Sequence, residues 1–344
     1  MTFQVGEWIE IRSKEEILAT LDKTGRLEGM PFMPEMFQFC GQKFKVYKSA
    51  HKTCEFVYTL KSRSVPNTVH LDLRCDGALH GGCQHACLLY WKKAWLKDPY
   101  ALRDDEDGQP VTSGDGCTEA DVLATARSTS DRNETIYSCQ GTEILRFSSQ
   151  LAWWDMRQYL RDWRSGNVGL RTLFNGMAFG TFTSLVGASN RLGLKLGEPL
   201  RWLYDQFAFV CGPYPRRPGK ALKGQPLPWS VENLQPGELV RVKSYDEILK
   251  TIDVDCRNRG LSFDAEMVPY CGKEFRVRAV IDTMIDEKTG KIMKLKNRCV
   301  SLEGAICRSK YSNCRINCPR SILPWWREIW LERVAEDGRT GSPS

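Results

Sequence analysis

The chain repeats itself, and no other feature constrains its fold as much. GEWIEIRSKEEILATLD from Gly6 answers GELVRVKSYDEILKTID from Gly237, and PEMFQFCGQKFKV answers AEMVPYCGKEFRV. Gly6 and Cys40 are 34 positions apart, as are Gly237 and Cys271. Glu35-Met36 and Glu266-Met267 stand at one offset ahead of their Cys-Gly. The fold must therefore be one that two tandem copies can adopt.

Both copies read alike. Ile9 and Ile11 alternate with Glu10 and Arg12, and Val240 and Val242 with Arg241 and Lys243, the period of a half-buried strand. Ser13 with Glu16, and Ser244 with Glu247, have capping-box spacing. A short helix should follow, burying Ile17, Leu18 and Leu21, or Ile248, Leu249 and Ile252, with Gly25 and Gly260 in the loops beyond. Strands through Phe44 and Val46, or Phe275 and Val277, lead to turns at Ser62–Asn67 and Asp286–Gly290. Strands through Val69, Leu71 and Leu73, or Val300 and Leu302, come next.

This pattern predicts a mainly β fold with α: two tandem small SH3-like, partly open β-barrel modules with a helical insert between them. The expected boundaries are 1–97, a linker plus insert over 98–235, 236–335, and a tail at 336–344. In the insert, LAWWDMRQYLRDWRSGNVGLRTLF has helical spacing, between an acidic linker that reads as mobile and a Pro/Gly/basic one.

Four cysteines recur in register. Cys40, Cys75, Cys83 and Cys87 are separated by 35, 8 and 4 positions; Cys271, Cys307, Cys314 and Cys318 by 36, 7 and 4. These eight are the expected metal ligands, because four thiolates suit tetrahedral zinc. An iron–sulfur cluster is the alternative cofactor, since both copies carry Cys-x-x-x-Cys in place of the closer Cys-x-x-Cys knuckle. The competing reading is that Cys40 and Cys271 are small buried apolar groups.

All four histidines, His51, His70, His80 and His85, fall in the first copy. His80, His85, Cys54 and Cys299 are alternative ligands. His80, His85, His51 and Asp76 are the candidates for acid–base chemistry, against the reading that the two loop histidines cap a turn. His70, between Val69 and Leu71, reads as a solvated strand residue. Cys117, Cys139, Cys211 and Cys256 have no repeat partner, and Cys117 with Cys139 could make a third small site. Trp91 and Trp95, like Trp326 and Trp330, are four apart, the spacing of one helix face clamped onto a barrel.

The net charge of +7, with 42% hydrophobic and 26% charged residues, permits a nucleic-acid partner without arguing for one. The N-terminus has no leader pattern, and Thr172–Asn190 is too polar to span a bilayer. The expectation is a cytoplasmic protein with no integral membrane segment, whose 14 cysteines are mostly reduced and whose clustered ones point to metal rather than disulfides. No phosphate loop or nucleophile–base motif appears.

PEMFQFCG, HKTC, RCDGALHGGCQHAC, AEMVPYCG, IDEKTGK and WREIWLERV together resemble a family of uncharacterised bacterial proteins, over nearly the whole chain. The resemblance implies an accessory role in polysaccharide or natural-product biosynthesis. The expected function is a metal-binding tandem-repeat binding or scaffold protein with a protein or small-molecule partner. A metalloenzyme or iron–sulfur redox protein using the first copy is one alternative, and a nucleic-acid-binding protein another.

Overall fold

The structure, a computed structural model, describes residues 3–58, 61–100, 116–194, 196–206, 215, 217–222, 224–312 and 315–335. Cys211, Cys314, most of the acidic linker, parts of the Pro/Gly/basic linker and the tail 336–344 lie outside the described residues. The fold is mainly β with some helices. It divides into two compact units. The first comprises Met1–Ser184, Thr283–Lys294 and Arg308–Ser321; the second comprises Leu185–Asp282, Leu295–Cys307 and Ile322–Ser344.

The N-terminal sheet has five strands in the order Leu88–Lys92, Thr68–Arg74, Lys43–Ser49, Trp8–Ile11 and Leu96–Lys97. Its pairings are antiparallel, with Ile9 opposite Phe44 and Ile11 opposite Leu96. The two strands at its ends are consecutive in sequence, joined by the 3₁₀ turn Lys93–Trp95. The four Cα steps from Lys92 to Leu96 reach at most about 14 Å. Four strand spacings in a flat sheet would be about 19 Å. The sheet therefore curls until its ends approach.

The C-terminal sheet has the corresponding order: Trp325–Arg327, Ile292–Leu302, Glu274–Ile285, Leu239–Val242 and Leu331–Arg333. Its end strands are joined by the 3₁₀ turn Glu328–Trp330, with Val240 opposite Phe275 and Val242 opposite Leu331.

The same local signals start the short helix beside each sheet. Ser13 and Ser244 cap Lys14–Thr20 and Tyr245–Leu249, and Glu16 and Glu247 close the capping boxes. Ile17 and Leu21, like Ile248 and Ile252, are buried. Gly25 and Gly260 take the left-handed conformation, with φ of +68° and +84°.

The tryptophans lie elsewhere than their spacing suggests. Trp91 is on a strand and Trp95 ends the 3₁₀ turn; Trp326 and Trp330 repeat this. They share no helix face. The strand-to-turn step buries both in the core of each sheet. Trp95 Nε1 donates to Thr20 Oγ1 at 3.1 Å, and Trp330 Nε1 to Thr251 Oγ1 at 3.0 Å. Phe32 meets Trp95 edge-on at 5.2 Å, as Phe263 meets Trp330.

His70 also departs from expectation: it is fully buried, because its strand is covered on both faces. Its Nδ1 faces the Leu89 carbonyl at 2.9 Å, which assigns the proton to Nδ1. Burial pushes its pKa down to about 3, so the ring is neutral.

The insert supplies the helices Glu119–Thr125, Met156–Arg164 and Leu170–Arg191. No described helix is long and apolar enough to cross a membrane. The helix Met156–Arg164 is turned inside out. It buries Gln158, Tyr159 and Asp162 and exposes Met156, Leu160 and Trp163, a stripe at i, i+4 and i+7. Arg157, Arg161 and Arg164, all exposed, form the adjacent stripe.

Candidate metal centre

The strand Thr68–Arg74 ends where the cysteine-rich loop begins. Cys75 N–H donates to the Cys87 carbonyl at 2.9 Å, so the loop opens and closes on one backbone bond. Gly77 makes its tight return possible: at φ +72°, a Cβ there would stand 2.0 Å from the Cys83 carbonyl oxygen. Asp76 shapes the same turn, its Oδ1 accepting Ala78 N–H at 2.9 Å. Asp76 is exposed and holds backbone rather than facing a reactive group.

Two other segments of the first unit close over the loop. Gln84 N–H donates to the Thr283 carbonyl at 3.0 Å, and Thr283 N–H returns to Gln84 Oε1 at 2.9 Å. From the insert, Gln140 brackets Tyr90: Oε1 accepts Tyr90 N–H at 2.8 Å, and Nε2 donates to the Tyr90 carbonyl at 2.9 Å. This clamp fixes the neighbouring Cys139.

The result is a small cavity, about 40 Å³, lined by Cys75, Cys83, Cys87 and Cys139 with His80 and His85. Burial raises the thiol pKa values: Cys75 upward, with the Glu35 charge adding to it, Cys87 to about 12 and Cys139 to about 11. Cys75 feels Cys87 and Cys139, and Cys87 feels Cys139 and Cys83, so the four sulfurs form one electrostatic group. Such thiols ionise only against a cation. Cys83 Sγ already accepts Ile285 N–H at 3.4 Å, the support that a metal-bound thiolate takes.

The histidines flank the thiols in two tight trios. Glu35, Cys75 and His80 bring their donor atoms within 4.8 Å of one another, as do His85, Cys87 and Glu287. His80 Nδ1 lies 2.5 Å from Glu35 Oε1, and Cys75 Sγ 4.0 Å from the same oxygen. His80 Nε2 faces the Ser138 carbonyl at 3.2 Å. Both His80 nitrogens thus face oxygen. Glu35 Oε2 is buried with no hydrogen-bond partner, a polar orphan that native proteins seldom leave. Burial lowers the His85 pKa, against the pull of Glu287. Glu287 in turn pairs with Arg320, which also lines the cavity.

The other expected residues are dispersed. Cys40 caps the turn Pro34–Phe39, and its thiol, pushed up to about 11 by burial, feels Lys14 and Glu15 rather than the cavity thiols. Cys54 and Cys318 meet elsewhere in the first unit, where Cys318 feels the Arg320 and Lys52 charges. His51 Nε2 faces the Gln158 carbonyl and Asp162 Oδ1, both at 3.3 Å. In the second unit, burial raises Cys271 to about 12, Cys307 N–H bonds the Ile322 carbonyl, and the Cys299 thiol accepts from Arg327 at 3.0 Å. No trio of donor groups among the described residues includes a cysteine beyond Cys75 and Cys87.

Glu35 and Glu287 are site residues that the sequence did not single out, and Cys139, which it paired with Cys117 as a third small site, lines this cavity instead. Glu35 had a signal, its recurrence as Glu266, whereas Cys139 and Glu287 have no spacing that points to the loop. No family model matches the chain, and neither curated proteins nor solved structures give a match.

Proposed function

We propose that this chain is a metal-braced binding protein, in which Cys75, Cys83, Cys87 and Cys139 hold one zinc ion. The observation that carries the reading is that four thiols from two distant segments line one cavity; no three of them lie within 4.8 Å of one another, so the ion would draw them together. The thiols are the donors because both His80 nitrogens already face Glu35 and Ser138, a pattern that positions rather than ligates. Four sulfurs with no open position make a closed structural site. Such a site pins the insert to the N-terminal sheet and contributes folding free energy on the order of 10 kcal/mol.

The matched strand orders, capping boxes and Trp–Thr bonds support reading the two curled sheets as duplicated SH3-like modules. The resemblance to a bacterial accessory family agrees with a binding role. The partner is a protein presenting acidic and apolar side chains. Met156, Leu160 and Trp163 offer it an apolar stripe, and Arg157, Arg161 and Arg164 offer opposite charge.

The test is metal and acid-labile sulfide content of protein purified without oxygen. About one zinc per chain, no colour, and loss of the metal in Cys139→Ser but not Cys40→Ser is the expected result. Proton release on zinc binding should accompany it, because the thiols are protonated without the ion. Iron with sulfide would move the site to the redox reading. Steeply salt-dependent binding to nucleic acid would replace the protein partner.

A further inference from the structure

We propose that Cys54 and Cys318 form a peroxide-responsive dithiol, separate from the metal centre, that closes to a disulfide on oxidation. The pair lies in the first unit, on the strand Lys52–Cys54 and the segment Arg308–Ser321. Two buried cations stitch those segments together. Lys52 Nζ donates to the Ile316 carbonyl at 2.8 Å, and Arg320 Nη1 to the Cys54 carbonyl at 3.0 Å. Lys52 is held in turn by Asp162 at 2.6 Å, with both side chains fully buried. The two thiols share a hydrogen bond, so they already touch. Neither lines the cysteine cavity.

Cys318 is also chemically unlike the other buried thiols. Burial alone would push its pKa up, yet its partners hold it below the usual thiol value. The Cys54 thiol, the Arg320 backbone N–H and the Arg320 and Lys52 charges outweigh desolvation. A thiolate beside a second thiol is the arrangement of a redox pair. Cys54 is 4% exposed and Cys318 2%, which excludes bulky disulfides and admits small oxidants.

The chemistry balances with hydrogen peroxide as oxidant. The Cys318 thiolate attacks one peroxide oxygen, the O–O bond breaks and hydroxide leaves, giving a sulfenic acid. That hydroxide takes the Cys54 proton. The Cys54 thiolate then attacks the Cys318 sulfur, the S–O bond breaks, and the second hydroxide is protonated from solvent. Two electrons pass from the sulfurs to peroxide, and two waters form.

The experiment treats the full chain, as purified with its metal, with stoichiometric hydrogen peroxide. Remaining thiols are then blocked with N-ethylmaleimide in denaturant and peptides mapped by mass spectrometry. A Cys54–Cys318 linked peptide, loss of two thiols per chain and full reversal by dithiothreitol are expected. In Cys54→Ser, the Cys318 sulfenic acid should persist and be trapped by dimedone once the oxidised chain is opened in denaturant. Recovery of both cysteines as blocked thiols, or linkage of either to another cysteine, overturns the proposal. Metal analysis of the same sample reports separately on the zinc site, so the two readings fail independently.

Discussion

The N-terminal and C-terminal sheets share a strand order, matched caps and the same Trp–Thr bond, yet their surroundings diverge. Around the N-terminal sheet, charged pairs are buried and thiols gather at one cavity: Lys52 with Asp162, Glu35 with His80, and the partly buried Cys75, Cys83, Cys87 and Cys139. The C-terminal sheet is held by aromatic packing, by the buried Arg327 donating to the Cys299 thiol, and by the Glu328 carboxylate. Glu328 accepts backbone N–H groups from Glu232, Asn233 and Leu234 and pairs with Arg298 at 2.7 Å. One curled sheet thus serves two ends. At the C-terminus, its aromatic side chains and the satisfied Glu328 carboxylate make the core. Extended by a glycine-rich loop and an insert, it carries polar chemistry that packing alone would not stabilise.

The comparison can be broken at several points, the largest effect first. Removing the metal, by chelator or by Cys139→Ser, should unfold the region around the N-terminal sheet and leave the C-terminal sheet protected. Hydrogen exchange resolved by region checks this. Equal loss of protection in both sheets would end the distinction. Next, Lys52→Met should cost about 3–5 kcal/mol, because it strands the Asp162 carboxylate in the interior. Denaturant titration measures it, and the double variant Lys52→Met/Asp162→Leu should recover most of the loss.

The third effect is a pH dependence confined to the N-terminal side. His70 has a folded pKa depressed far below its unfolded value, so the unfolded state takes up the proton first. Stability is full above about pH 6.5 and falls as pH drops below it, by up to about 1.4 kcal/mol per pH unit. Urea titrations at pH 7 and pH 5 should show the fall in wild type and a smaller one in His70→Asn. The smallest effect tests the likeness itself. Thr20→Val and Thr251→Val each remove one hydrogen bond to a buried indole and should cost about 1 kcal/mol, equal within error.

Much of this fold was legible in the sequence because its signals are local. A capping box needs four residues, and a half-buried strand shows its alternation within five. The misreadings share a cause. His70 looked solvated because alternation assumes one wet face, and here the strand is covered on both. Trp91 and Trp95 looked helical because four-residue spacing does not distinguish a helix from a strand running into a 3₁₀ turn. The site was half legible. Cys75, Cys83, Cys87, His80 and His85 are close in sequence and stay close in space. Cys40, the cysteine favoured by repeat register, caps a turn, while Cys139 reaches the cavity from the insert. Spacing cannot report such a contact, because a long chain excursion leaves no period behind.

The most direct test of the account is therefore the metal content of three proteins: wild type, Cys139→Ser and Cys40→Ser. The account predicts about one zinc per chain in wild type and Cys40→Ser, and a loss of zinc in Cys139→Ser that remains folded enough to purify. Zinc retained in Cys139→Ser and lost in Cys40→Ser would contradict it, returning the site to the register of the repeat.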